Sequence, residues 1–231
     1  QTVSAVESKT DKNPNILVIL IDDAGYNDFG FMGSKEMQTP NIDALTSEGV
    51  VFTDAHVAAT VSSPSRACLI TGRYGHRFGY ECNLSDRTNG LPLEEETIAE
   101  VFKTNGYRTA AIGKWHLGSR DEQHPNNRGF DLFYGMKAGG RDYFYNEKKS
   151  DRPGDERNLL LNDRQVKFEK YLTDAFSEKA VEFINESSQP FMMYLAYNAV
   201  HTPMQATDED MAKFEGHPRQ KLAAMTYALD R

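Results

Sequence analysis

The sequence has no long hydrophobic run. Its longest aliphatic run, ILVILI at 16–21, has six residues, far short of the about 20 that a membrane-spanning helix needs. It has only two cysteines, Cys68 and Cys82, too few for a disulfide framework. Cys68 falls in the apolar stretch ACLI and reads as a buried free thiol, so the cysteines leave the compartment open. No basic stripe runs along the chain, and the net charge of −8 argues against nucleic acid as a partner. A local anion pocket survives that argument, because a few cations in one place outweigh the global sign. No leader pattern opens the chain. The polar start QTVSAVESKTDKN is expected to be a mature or trimmed terminus, with 1–12 as a tail. Repeats and low-complexity tracts are absent as well. What is there, 39% hydrophobic and 11% aromatic residues over 231 positions, is an ordinary globular composition with enough chain to bury a core.

The alternation of apolar runs and helical patterns predicts an α/β fold. NILVILIDDAG is an unbroken aliphatic run ending in Asp22 and Asp23, as expected of a strand covered on both faces. TPNIDALTSEG predicts a short helix capped by Thr39, opened by Pro40 and closed by Gly49, and VVFTDAHV a strand after it. A helix bearing Ile98, Val101 and Phe102 should end at Gly106, with the strand YRTAAIG next and Lys114 and His116 past its end. Residues 120–170 turn polar and read as long loops with short elements. YLTDAFSEKAVEFINESS predicts a capped amphipathic helix, and PFMMYLAYNAVH a third strand that delivers His201. The final stretch KLAAMTYALDR is a helical pattern with no exit, expected to be cut off in mid-fold. Acids, a lysine and histidines thus recur at strand ends, where open α/β sheets place their ligands.

The stretch VSSPSRACLITGR, 61–73, is the most unusual. Pro64 suits the first position of a helix, which makes Ser63 the expected N-cap and sets Ser62 just before free backbone amides. An unaided serine is a poor nucleophile, and no histidine pairs with it in the local sequence. Taken singly, each signal has a plain reading. Asp22 and Asp23 could form a turn, Lys114 and His116 a solvated loop end, His201 a strand terminus, Arg66 and Arg73 surface ion pairs, and Ser62 a helix cap.

Together the residues resemble the sulfatase family. SSPSRACLITGR is similar to its signature, a Cys or Ser followed by x-Pro-Ser-Arg and then Thr-Gly-Arg, with the first position on Ser62. PNILVILIDDAGYNDFG, TPNIDALTSEGVVFTDAHV, YRTAAIGKWHLG, RGFDLFYG and PFMMYLAYNAVHTP agree in order, so the resemblance runs from about Asn13 to the last residue. It implies an alkaline-phosphatase/sulfatase-like sandwich, a mixed, largely parallel sheet between helices. Residues 13–231 would be the N-terminal portion of the catalytic domain, truncated at the C-terminal side. It also implies oxidation of Ser62 to formylglycine by a maturation enzyme. The hydrated aldehyde attacks sulfur with one hydroxyl and expels sulfate with the other, whereas plain serine would remain as a sulfate ester.

By the same resemblance Asp22, Asp23 and residue 62 ligate a divalent cation, usually calcium, and an all-oxygen set suits such a hard ion. Arg66 and His116 hold the formylglycine hydroxyls. Lys114 and His201 bind sulfate oxygens, with His201 the candidate proton donor to the leaving alcohol, and Arg73 is structural support. The family's later Asp-Asn metal pair and the lysine after it are not in this chain; Asn162-Asp163 comes too early. Serine stands where many members have cysteine, natural in serine-type members of anaerobic bacteria and identical to an engineered Cys-to-Ser change. Substrate choice is assigned to 137–165, with Arg141, Tyr143 and Tyr145 as a possible sugar platform. The pattern is most similar to bacterial galactosamine-6-sulfatase-like enzymes acting on sulfated carbohydrate, periplasmic or secreted. The alternatives are a phosphonate or phosphodiester hydrolase of the same superfamily, a catalytically silent glycan-binding relative, and an inactive truncated product.

Overall fold

The computed structural model describes residues 13–83 and 90–231, so the expected tail at 1–12 lies outside the described residues. Strand β1 (Ile16–Leu20) is followed by helices α1 (Pro40–Glu48), α2 (Ser62–Thr71) and α3 (Ile98–Thr104) before β2 (Arg108–Lys114). Then come β3 (Leu132–Met136), the short β4 (Leu160–Leu161) and β5 (Arg164–Gln165), α4 (Leu172–Glu186), β6 (Phe191–Ala196), α5 (Asp208–Lys213) and α6 (Gln220–Asp230). The six strands form one sheet in the order β1-β6-β2-β3-β4-β5. The first four are parallel, and β3, β4 and β5 pair antiparallel. The expected mixed, largely parallel sheet between helices is what the chain builds.

Alternate side chains of β6 divide the core. Met193 and Leu195 join Phe176 and Phe183 of α4 and Met225 and Leu229 of α6 on one face. Met192, Tyr194 and Ala196 join Ala67 and Ile70 of α2 and Ala99 of α3 on the other. The parallel strands end on one edge, which brings the segments after β1, β2, β3 and β6 together. Close approach there depends on glycine. Gly113 has φ +106°, and a Cβ on it would lie 2.0 Å from the Ala196 carbonyl oxygen. Its partner in register, Gly135, would place a Cβ 1.9 Å from the Gly113 carbonyl.

Several expectations are corrected. Strand β1 is covered on one face only: among the described residues it pairs with β6 alone, and Leu17 and Ile19 are 44% and 50% exposed. An apolar run therefore did not imply two covered faces. VVFTDAHV is not a strand, because among the described residues no neighbour pairs with it, and Val50 and Phe52 stand 82% and 76% exposed. Helix α2 starts at Ser62 with Val61 as N-cap, so Pro64 is its third residue rather than its first. Helix α4 follows Tyr171 with no side-chain cap. Strand β3, by contrast, is one of the short elements expected within 120–170, and pairing with β2 defines it.

Helix α1 runs from Pro40 with Gly49 after it, as expected, but Thr39 does not cap it. The Thr39 hydroxyl accepts from the Gly30 amide (2.8 Å) and bonds Asp43 (3.0 Å). The cap comes from the far end of the chain: the Asp230 carboxylate accepts from the Asn41 and Ile42 amides at 2.9 and 2.7 Å. A carboxylate on free first-turn amides satisfies both hydrogen bonding and the helix dipole. Asp230→Ala should therefore lower stability by about 1–2 kcal/mol, read as an earlier urea unfolding midpoint. An unmoved midpoint would show that α1 stands without this cap.

Candidate active site

Ser62 is the first residue of α2 and faces the carboxyl edge of the sheet. Its hydroxyl accepts from Arg66 Nε at 3.0 Å, one helical turn on, and lies 3.2 Å from His116 Nδ1. Arg66 is buried. Its Nη1 also donates to the Lys114 carbonyl (2.9 Å) and the Tyr194 hydroxyl (3.2 Å), while Nη2 lies 3.3 Å from Asp22. Lys114, the last residue of β2, closes the group: its ammonium donates to the same Asp22 carboxylate at 2.5 Å. Asp22, Ser62, Arg66, Lys114 and His116 are thus one connected cluster.

The backbone is bent to present it. Asp23 and His116 adopt φ of +60° and +57°, a left-handed region that non-glycine residues rarely occupy and that concentrates at functional sites. Beyond β6, the Asp22 amide donates to the Ala199 carbonyl (2.8 Å) and the Val200 amide to the Asp22 carbonyl (2.7 Å). That pairing holds the turn bearing His201 beside the acids. The His201 ring reaches Asp23 through Nε2 at 3.6 Å, and its Nδ1 contacts the Thr202 carbonyl at 2.6 Å.

Burial sets the charge states. Desolvation, reinforced by the Arg66 charge and opposed by Asp22, lowers Lys114 to about 8, so it stays protonated at neutral pH. Desolvation, with Lys114 and Arg66 adding to it, lowers His116 to about 3, which leaves a neutral ring against the serine.

A hollow of about 200 Å³ beside Ser62 is lined by Asp22, Asp23, Thr60, Ser65 and Arg66. A larger one, about 680 Å³ between Lys103, His124 and Asp163, is lined by none of the candidate residues. Asp22, Asp23 and the residue-62 oxygen fit the chemistry of a hard cation, though three donors fall short of the six to eight such an ion takes. Among the described residues no three His, Cys, Asp or Glu side chains cluster closely enough to hold a metal.

Other expectations resolve differently. Arg73 pairs with Glu95 at 2.5 Å and serves as support, as expected. Cys68 is a buried free thiol and Cys82 an exposed one. Two of the three residues of the expected sugar platform are corrected, while Tyr145 is half-buried with its hydroxyl on Glu147 at 3.0 Å. Arg141 is buried with its guanidinium on Asp151 (2.6 Å) and on the Asp142 and Arg157 carbonyls, because that polar set leaves no donor facing outward. Tyr143 is fully buried, its hydroxyl bridging the Asn198 and His201 carbonyls at 2.7 and 2.8 Å. Asn162 is structural, accepting from the Phe133 amide at 2.9 Å.

Sequence reasoning missed three supports. Tyr194 sits inside an apolar run that gives no sign of its contact with Arg66. Ser63 donates to the His116 carbonyl (2.7 Å), fixing that strained residue. Asn83 caps α2 from outside, accepting from the Ser63 amide at 3.0 Å, and no local pattern marks so distant a cap.

The Sulfatase family model matches residues 14–227. Mouse arylsulfatase G is 38% identical over 223 residues, 84% of this chain and 42% of the relative. Human N-acetylgalactosamine-6-sulfatase is 32% identical over 212 residues, 84% and 41%. The crystal structure of Ps i-CgsB in complex with k-i-k-neocarrahexaose superposes with a TM-score of 0.89 at 44% identity, covering 95% of this chain and 53% of that one. The chain therefore spans about half, or less, of the length of these relatives. The Agrobacterium radiobacter phosphonate monoester hydrolase, 16% identical with a TM-score of 0.63, shares the fold alone.

Arg66→Ala should be costly, about 3–5 kcal/mol, because it strips one cation from a buried group. Tyr194→Phe, losing one of several partners, should cost about 1 kcal/mol. Chemical denaturation of both variants checks the ranking, and equal losses would contradict the central place given to Arg66.

Proposed function

This chain belongs to the sulfatase family, and from that premise we propose that it hydrolyses a sulfate ester on a carbohydrate at Ser62. The observation that carries the reading is the clamp on the Ser62 hydroxyl, Arg66 Nε at 3.0 Å and His116 Nδ1 at 3.2 Å, beside two strand-end aspartates. Oxidation of Ser62 to formylglycine by a maturation enzyme would supply, on hydration, a second hydroxyl on one carbon, which frees sulfate where a plain serine would keep it as an ester. Asp22, Asp23 and the residue-62 oxygen would hold a divalent cation, calcium or another hard ion, which would supply positive charge opposite the sulfate oxygens.

The chain's own residues do the rest. Arg66 and His116 aim the residue-62 oxygen at sulfur, and orientation of this kind is a large part of a displacement's acceleration. Lys114 and His201 contact sulfate oxygens and oppose charge that grows as the sulfur–oxygen bond breaks. His201 Nε2 gives its proton to the departing alcohol oxygen. Carbohydrate is placed ahead of aryl sulfate on the strength of the oligosaccharide carried by Ps i-CgsB. Glycan of that size is met outside the cytoplasm, so we place the protein in the periplasm or beyond the cell.

A peptide mass spectrum across residue 62, on protein from the native host, should show the loss of two hydrogens. Ser62→Ala should abolish sulfate release, and a chelator should suppress it until calcium is returned. Sulfate esters should turn over ahead of matched phosphonate and phosphodiester substrates. An unmodified serine with no sulfate release would overturn the reading, and sugar binding in that same protein would favour the catalytically silent relative.

A further inference from the structure

Residues 137–143 leave the end of β3 and pass across both active-site histidines, and the chain carries Gly139 and Gly140 at the crossing. A Cβ on Gly139 would lie 2.6 Å from both Cε1 and Nε2 of His116. One on Gly140 would lie 3.3 Å from Cε1 and 3.4 Å from Nδ1 of His201. Neither glycine has the positive φ that would require it for backbone reasons, so each is there for lack of a side chain. Main chain thus packs against the Cε1–Nε2 edge of the His116 imidazole, next to the Nδ1 nitrogen that faces Ser62.

This segment is anchored rather than loose. The His116 amide donates to the Lys137 carbonyl at 3.0 Å and the Ala138 amide to the Glu156 carbonyl at 3.1 Å. Arg141 and Asp151 form an ion pair with both side chains fully buried, and the Arg141 guanidinium lies over the Phe168 ring at 4.7 Å. On the far side Tyr143 bonds the Asn198 and His201 carbonyls. One short segment therefore touches the ring of His116, the ring of His201 and the turn that carries His201.

We propose that Gly139 and Gly140 are positioning residues, a main-chain backstop that sets His116 against Ser62 and, less tightly, His201 over the acids, with the buried Arg141–Asp151 pair as its anchor. The inference rests on the sulfatase reading for its effect on rate, but its geometry is open to a separate measurement. The close contacts set a ranking. At 2.6 Å the His116 ring must move, whereas at 3.3 Å His201 needs to give only a few tenths of an ångström.

The test combines ring-nitrogen NMR of the histidines, on protein with Ser62 unmodified, with steady-state kinetics on matured protein. Gly139→Ala should shift the His116 ring signals and lower kcat by about 100-fold, the size a misplacement near 1 Å can produce, with KM changed less than about 3-fold. Gly140→Ala should act on His201 instead and lower kcat by less than about 5-fold. Should Gly139→Ala fail to fold, Arg141→Lys introduces no clash yet releases the anchor, and it should move the His116 signals in the same direction. Unchanged His116 signals in a folded Gly139→Ala, or in Arg141→Lys, would overturn the proposal, as would equal effects of the two glycine variants. Signals moved by Gly139→Ala, in a protein whose wild type releases no sulfate, would leave the backstop standing and count against the sulfatase reading alone.

Discussion

The carboxylate of Asp22 meets two buried cations, Lys114 at 2.5 Å and Arg66 at 3.3 Å, and the geometry of the site follows from that meeting. The three side chains come from the end of β1, the end of β2 and the first turns of α2. Withdrawing three charges from water is unfavourable, and their mutual attraction offsets it only when the remaining donors are also used. Arg66 uses them on Ser62, the Lys114 carbonyl and Tyr194. The same guanidinium that neutralises Asp22 therefore holds the candidate nucleophile's oxygen, so the register of strand ends and the placing of Ser62 are set together. Loss of Asp22 would leave two buried cations facing each other without compensation, which makes the group cooperative rather than a sum of pairs.

Backbone strain points to the same place. Asp23 and His116 each stand two or three residues past the end of a parallel strand, and both take left-handed dihedrals. Asp and His tolerate that region better than branched residues do. The turn ends each ladder, so that Asp23 lines the hollow and His116 meets the Ser62 hydroxyl. Ser63 then secures the His116 carbonyl. Adjacent serines are thereby split in role, Ser62 facing the hollow and Ser63 holding the histidine that touches it.

Much of this was legible in the sequence, for identifiable reasons. The strand-end residues Asp22, Lys114, His116 and His201 could be grouped because parallel strands deliver their following loops to one edge. The apolar runs located β1 and β6, with five and six residues, and the helix stop at Gly106 located β2 after it. What failed was information carried by partners. Whether β1 is covered on one face or two depends on its neighbours, not on ILVIL. VVFTDAHV has strand composition and, among the described residues, no strand to pair with. Arg141 and Tyr143 look like ligand-facing groups in one dimension, yet Asp151, Asn198 and His201 draw them inward. The cap of α1 by Asp230 joins residues 188 and 189 positions apart, and no local pattern encodes that.

Charge within the site bears on what it can accept. Lys114 and Arg66 contribute two positive charges, since burial leaves the lysine at about 8 and so protonated at neutral pH, while His116 is neutral. Asp22 and Asp23 carry the opposing charge, so the fixed groups nearly cancel. A sulfate ester brought into such a site meets no net attraction, and the two aspartates repel it at short range. The divalent cation proposed on Asp22 and Asp23 would change the balance in two ways. It would satisfy the carboxylates, and it would free Lys114 and Arg66 to act on the incoming anion and on the oxygen of residue 62. The same two side-chain cations that hold the fold's edge together would thus become available to the proposed reaction only when the acids have another partner.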